Sequence, residues 1–299
     1  MNLLDLKIEP LPKALKKRAE AELGETPEVK ERALKELKDL IKGIPNIDPL
    51  TEDAFLLRFL RVRKYDVQRT LKTLLKYYNF NKEYSKVYAN LLPSELKPIL
   101  DLNLLCVLPK KHPSGAIIFW NKCSNLDLDV GKVDDVGALG ILFGEIYLLQ
   151  ESVQVSGAHV IIDFKDCSLQ QLYNILSITF LTRFFKYLQE CWPYRLKGFH
   201  IINEPLYVHY VYRIIKVFLT KKLKERFVMH GTDMKSLYKY IPQDVLPSEF
   251  GGTGDPVNDE EFRNFILSYE SYIQKLNQFG FKTKSTEVQH SDSQILNTQ

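Results

Sequence analysis

Trp192 to Gly231 reads WPYRLKGFHIINEPLYVHYVYRIIKVFLTKKLKERFVMHG. Leu196 to Asn203 alternates and is rich in apolar residues, which predicts a buried strand. Asn203-Glu204-Pro205 then breaks the chain and lets a helix start. From Leu206 to Leu219 the residues predict a helix that is apolar nearly all round, with His209, Arg213 and Lys216 in one narrow polar stripe. Such a helix belongs in a core or a membrane. At about 21 Å it is too short to span a bilayer. Cations flank it: Arg195 and Lys197 before, Lys221, Lys222, Lys224 and Arg226 after. Two readings stay open on this stretch alone. One is an ordinary helix packed on a sheet beside a solvated basic turn. The other is a gate, an apolar helix that covers a greasy cavity and moves, with cations beside it to meet a negative surface.

The 299 residues are 45% hydrophobic and 26% charged. That is a globular composition with material for a large core, and the length suggests one large domain plus a smaller one. A net charge of +4 is mild. It does not imply nucleic acid, although a clustered basic patch still suits an anionic surface. Cys106, Cys123, Cys167 and Cys191 form no CxxC pair and read as free thiols of a reducing cytosol. The start, MNLLDLKIEPLPKALKKRAEAE, has no apolar core of signal-peptide length, and no run reaches transmembrane length. The expectation is a cytoplasmic protein that visits membranes from outside.

Residues 1–27, with Pro10, Pro12, Pro27 and a basic run, read as a flexible N-terminal arm carrying no more than a turn of helix. Residues 28–92 read as a helical lobe, with amphipathic helices over Glu28–Ile41, Thr51–Arg63 and Val67–Tyr84, the last capped by Asp66. The pattern changes over 93–256. Strands over Leu104–Leu108, Ala116–Asn121, Ala158–Phe164, Leu196–Asn203 and Arg226–His230 are separated for the most part by helices, among them Asp134–Gln154 and Thr179–Cys191. That alternation predicts an α/β fold built on a mainly parallel sheet flanked by helices. A C-terminal helix is expected within 257–280 and a disordered tail over 281–299.

Signals for catalysis are sparse. GxSxG, HExxH and Walker patterns are absent, and the six histidines show no ligand spacing. No metal or cofactor is implied. Asp163 at a strand end reads as a cap rather than a catalyst, and His200 as a satisfied core residue. Gly137, Gly140 and Gly144 either let their helix pack closely or enlarge a cavity wall. Arg58, Arg61, Arg63 and Lys64 scatter round their helix and read as solvated faces and ion pairs. Arg195 and Lys197 point one way on their strand, and Lys222 and Arg226 share a helix face, so four cations converge without entering the core.

The run from Gly198 to Gly231, with DAFLLRFLRVRKYDVQRTLKTLLKYY at 53–78, VIIDFKDCS at 160–168 and LPSEFGG at 246–252, resembles the CRAL-TRIO lipid-binding family. The resemblance covers roughly residues 30–278 and is strongest to its tocopherol-carrier and retinaldehyde-binding branches. It implies a helical N-terminal lobe and a sheet whose one face forms a buried apolar pocket beneath a mobile lid, here Leu206–Leu219. The implied pocket is lined by Phe180, Phe184, Tyr187, Leu188, Tyr194, Leu196, Phe199, Val211, Ile215 and Leu219, with Gly140 and Gly144 on its wall. The family's phosphoinositide-binding cations fall on Arg195, Lys197, Lys222 and Arg226. An arginine of the helical lobe that pairs with an acid of the cavity helix falls on Arg63, with Glu145 as its partner. Gly140 and Gly144 depart from the tocopherol carrier, which has serines there. The hydroxyls that orient a polar ligand group are missing.

The expected function is therefore a cytosolic, non-enzymatic carrier. It binds one hydrophobic lipid, tocopherol-like, retinoid or similar, and exchanges it at phosphoinositide-bearing membranes, endosomal or other. Burying about 300 Å² of apolar ligand surface is worth roughly 7 kcal/mol, so release needs a changed environment. The alternative is a phosphoinositide-sensing adaptor or trafficking protein without lipid transfer. An enzyme comes third.

Overall fold

A computed structural model describes residues 11–281. In chain order the helical lobe comprises α1 (Lys13–Leu23), α2 (Pro27–Lys42), the short strand β1 (Ile47–Asp48), α3 (Asp53–Val62) and α4 (Val67–Glu83). The mixed domain continues with α5 (Lys97–Leu100), β2 (Leu105–Val107), β3 (Ile117–Lys122), α6 (Val133–Tyr147), α7 (Glu151–Ser156), β4 (Ala158–Asp163), α8 (Leu169–Ile175) and α9 (Ile178–Lys186). A π-helical turn, Tyr187–Cys191, leads to β5 (Leu196–Ile202) and then to α10 (Leu206–Ile215). A 3₁₀ turn (Lys216–Phe218), α11 (Lys221–Lys224), β6 (Phe227–Met229), α12 (Met234–Tyr238), α13 (Asp259–Leu267), α14 (Glu270–Leu276) and β7 (Gly280–Phe281) complete it.

The main sheet runs in the order β2-β3-β4-β5-β6, with β2 antiparallel to β3 and the other neighbours parallel. Its central strands are apolar on both faces, as strands covered on both sides must be. Register sets one row, Phe119, Val160, Phe199 and Phe227, across one face. The first three belong to the large core cluster under α6, α8, α9 and α10, and the partly buried Phe227 packs against it. Ile118, Trp120, Ile161 and Ile202 face the other way and pack under α12, Ile241 and Phe250.

In the lobe, Phe55 and Phe59 on α3 meet Tyr77 on α4. Asp66 caps α4 by accepting the Arg69 amide at 3.0 Å. The second half of the expected loose arm is instead helix α1. Its strongly charged sequence hides a short apolar edge, Leu15, Ala19 and Leu23, which packs on Val155 and Tyr65. Residues 1–10 and 282–299, which include most of the expected arm's first half and nearly all of the expected tail, lie outside the described residues.

Three expected long helices are broken, and side chains take up freed backbone groups at two of the breaks. After α6, Gln154 Nε2 donates to the Leu148 carbonyl at 2.8 Å and so satisfies a group the helix ladder has released. At the C-terminus Ser268 Oγ donates back to Phe265 O at 2.6 Å between α13 and α14. The helix expected as the lid, α10, ends at Ile215, and Lys216–Phe218 of its expected span form a 3₁₀ turn. Among the described residues no helix is long and apolar enough to cross a membrane.

Candidate functional site: an apolar cavity beside a basic groove

Between the sheet row Phe119–Phe227 and helices α6, α8, α9 and α10 lies a cavity of about 160 Å³. That is room for on the order of ten waters, since one needs roughly 10–15 Å³. The walls are almost wholly apolar, so waters there would lack partners. Val208, Val211 and Ile215 form the buried side of α10 and close the cavity. The opposite side of α10 and the turn after it present Leu206, Tyr207, Tyr210, Ile214, Val217 and Phe218 to the outside. Leu206 is 77% exposed and Phe218 65%. On α8, Leu169 and Tyr173 are also exposed, while Ile175 lines the cavity.

Of the residues expected in the pocket, Phe180, Phe184, Tyr187, Leu188, Phe199, Val211 and Ile215 line the cavity, as does Gly140. Four do not. Tyr194 and Leu196 line a second space, described below. Leu219 is buried in the core just beyond the lid's 3₁₀ turn. Gly144 faces Trp192, whose Nε1 lies 2.8 Å from where a Cβ would stand, so this glycine serves close packing. At Gly140 the nearest atom to a built Cβ is Leu105 Cδ2 at 4.0 Å, so that glycine widens the cavity. Phe185, Val208 and Tyr212 also line the cavity. They lie on the elements already singled out, and helical period points to two of them.

The expected pair of Arg63 with Glu145 is not formed. Arg58 Nη1 meets Glu145 Oε2 at 2.6 Å, with both side chains buried. Arg58 also donates to Tyr272 Oη at 3.3 Å. Five residues turn an α-helix by about 140° beyond full rotation, so Arg63 cannot share the core-facing side with Arg58. Burial pushes the Glu145 carboxyl up, with Arg58 opposing. Arg61 is no solvated residue either: it is fully buried and binds Glu25, Glu151 and Gln154.

Arg63 instead lines a groove of about 540 Å³ with Lys64, Arg69, Lys222 and Arg226. It donates to Thr73 Oγ1 at 2.6 Å and to the Gln189 carbonyl at 3.4 Å. Among the described residues none of these five cations has a salt-bridge partner within 4 Å. Burial, then the charges of Arg226 and Arg63, lowers the Lys222 ammonium, and burial, then Arg195, lowers Arg226. Asp66, whose side chain caps α4, is the one acid that lines the groove, and five crowded cations against one carboxylate favour a polyanion.

Arg195 and Lys197 are placed differently. Both reach Glu22 of α1, at 2.5 and 3.6 Å. Burial opposes ionisation of Glu22, but hydrogen bonds from Arg195 and Arg18 outweigh it and hold the carboxyl at about 2. Burial and then Arg195 bring Lys197 down to about 8.

Four of the six histidines, which show no spacing in sequence, form a row on the sheet's other face. His159 Nδ1 lies 3.2 Å from His200 Nε2, and His200 Nδ1 lies 3.1 Å from His230 Nε2. His230 Nδ1 meets Ser236 Oγ at 2.8 Å, and the His112 ring sits 4.8 Å from that of His159. A row is not a ligand shell, and no group of three or more His, Cys, Asp or Glu among the described residues could hold a metal. Asp163 Oδ1 accepts from Asn203 and from the Lys165 amide, holding two strand ends together.

Residues 102–252 match the CRAL/TRIO domain. The human alpha-tocopherol transfer protein-like protein is 32% identical over 85% of this chain and 74% of its own length. Clavesin-1 of Xenopus laevis is 32% identical over 79% of this chain and 71% of its own. A solved structure, "Crystal structure of Sfh5", aligns with a TM-score of 0.45 at 16% identity, over 83% of this chain and 99% of that one.

Proposed function

The chain belongs to the CRAL/TRIO domain family, and on that premise we propose that it carries one hydrophobic molecule and exchanges it at phosphoinositide-bearing membranes. The observation that carries the reading is a juxtaposition. An apolar cavity is closed by a helix whose outer side is also apolar, and a groove lined by five cations and one acid, Asp66, adjoins that cavity. A lid apolar on both sides costs little to move once a bilayer replaces water on its outside.

Attraction supplies the trigger. Arg63, Lys222 and Arg226 each gain about 1 kcal/mol at an anionic surface. Three together reach about 3 kcal/mol, comparable to the few kcal/mol that separate two conformers. Arg195 and Lys197 join them to the extent that an anion displaces Glu22. Exposed Leu169, Tyr173, Tyr210 and Phe218 then enter the headgroup boundary. No bond is made or broken, and the protein works in the cytoplasm as a peripheral visitor. The name of its relative, alpha-tocopherol transfer protein-like, supports a lipid cargo, whether tocopherol-like, retinoid or of similar size. Gly140 leaves that stretch of wall without a hydroxyl.

The groove, larger than the cavity, favours one second reading: a phosphoinositide-sensing adaptor. Transfer of a fluorescent tocopherol analogue separates the two. Donor vesicles of phosphatidylcholine are mixed with acceptors of phosphatidylcholine, with or without phosphatidylinositol bisphosphate. A carrier moves the probe and moves it faster to the charged acceptors. Binding to charged vesicles without transfer would leave the adaptor.

A further inference from the structure

Leu188 and Trp192 stand in the walls of both the cavity and the groove. Between them lies Gln189, in the π-helical turn Tyr187–Cys191. Such turns insert a residue into a helix and recur at functional sites. The Gln189 side chain is fully engaged. Its Oε1 accepts the Thr220 amide at 2.6 Å. Its Nε2 donates to the Phe218 carbonyl at 3.3 Å and to the Phe185 carbonyl at 3.2 Å. Its backbone carbonyl accepts from Arg63 in the groove. One residue thus joins a cavity helix, the end of the lid and a groove cation.

Leu219 and Thr220 are extended, with ψ of 139° and 153°. They form a two-residue strap between the lid's last turn and α11, which carries Lys222. Only a carboxamide offers an acceptor for Thr220 and donors for the two carbonyls in one planar group.

We propose that Gln189 is the latch through which an anion in the groove releases the lid. This rests on the carrier reading above. A polyanion among Arg63, Lys222 and Arg226 draws Lys222 toward its charge and takes Arg63 from the Gln189 carbonyl. Thr220 precedes Lys222 by two residues, so the same movement stretches the bonds from Gln189 to Phe218 and Thr220. Gln189 lines the groove, but its carboxamide is spent on Thr220, Phe218 and Phe185, so it acts as a positioning residue that couples the groove to the gate.

Two variants remove the latch from opposite ends. Gln189→Leu keeps bulk and removes both hydrogen-bonding functions. Thr220→Pro takes from the latch only the bond made by the Thr220 amide N–H, and the φ of −62° at Thr220 already suits proline. Amide hydrogen exchange over 206–218 is followed in the full-length protein. It is measured alone, with phosphatidylcholine vesicles, and with the same vesicles containing phosphatidylinositol bisphosphate. Vesicle co-sedimentation is measured in parallel. In the wild type, exchange rises only with the charged vesicles. In both variants it is already faster without vesicles, by roughly tenfold in Gln189→Leu, which loses two bonds to the end of the lid, and by roughly threefold in Thr220→Pro, which loses one; the charged lipid adds little, and co-sedimentation is unchanged. A phosphoinositide response that survives intact in the variants overturns the latch alone. A wild-type lid that ignores phosphoinositide overturns the latch together with the membrane reading.

Discussion

Arg58 and Glu145 meet at 2.6 Å with almost no exposure, and they join the helical lobe to the helix that walls the cavity. Removing one partner strands the other charge in the core. Arg58→Ala is expected to cost about 3–5 kcal/mol, whereas Arg63→Ala, at the rim of the groove, costs about 1 kcal/mol or less. Urea unfolding of the two variants checks this. Equal losses would mean that the pair is not what joins the two parts.

A second expectation concerns the two glycines of α6 that line the cavity. A Cβ at Gly137 would stand 2.1 Å from Tyr88 Oη, but one at Gly140 meets only Leu105 Cδ2, at an ordinary contact distance of 4.0 Å. Gly137→Ala should therefore destabilise the fold, by about 1–3 kcal/mol for overpacking. Gly140→Leu should fold at least as well as the wild type, helped by about 1 kcal/mol of helix propensity. It should nevertheless exclude cargo, because the side chain enters the cavity. Thermal melts and lipid extraction on both variants read the two effects separately.

Glu22 occupies Arg195 and Lys197 in the folded chain. Glu22→Gln should release both toward an anionic surface. Affinity for phosphatidylinositol bisphosphate vesicles then rises about fivefold per freed cation, from about 1 kcal/mol each. Lys222→Ala should lower the same affinity and slow transfer. Unchanged vesicle affinity in Glu22→Gln would mean that these two cations face away from the membrane.

The histidine row makes stability depend on acid. Burial and then neighbouring imidazoles lower His200 to about 3; burial, then His112 and Lys197, lowers His159 to about 4. Burial also lowers His230, with Asp233 opposing. Below about pH 6.5 the unfolded chain takes up protons that the folded row refuses, so stability falls from there toward pH 4. Two adjacent rings cannot both be protonated and still bond, which steepens the loss. Replacing His200 by Leu should flatten the slope by about one proton. Urea midpoints between pH 7 and pH 4 measure it, and an unaltered slope would place the acid sensitivity elsewhere.

Much of this architecture is readable from local pattern. The alternation of Leu196–Ile202 and the apolar surround of Leu206–Ile215 place strand and helix without further help, while the reading of that helix as a lid comes from the family resemblance. The Asp66 cap is legible for the same reason: it is a short-range hydrogen bond. What escaped depends on partners distant in the chain. Which of Arg58, Arg61 and Arg63 faces the core is decided by how α3 is rotated against α6 and α7, and all three look alike in sequence. The row His159–His200–His230 exists only through the register of β4 on β5 and the turn after β6. α1 reads as solvated because Lys, Arg and Glu dominate it, and only Leu15, Ala19 and Leu23 betray its docking. The role of Gln189 is not legible locally, since two of its three side-chain bonds reach Phe218 and Thr220 about thirty residues away.

The central claim is that the cavity holds cargo. Protein purified under native conditions is extracted with organic solvent, and the extract is analysed by mass spectrometry beside that of Gly140→Leu. The account predicts one dominant hydrophobic species, near one per chain in the wild type and lost in the variant. A wild-type extract without such a species, or one that the variant retains in full, would contradict it.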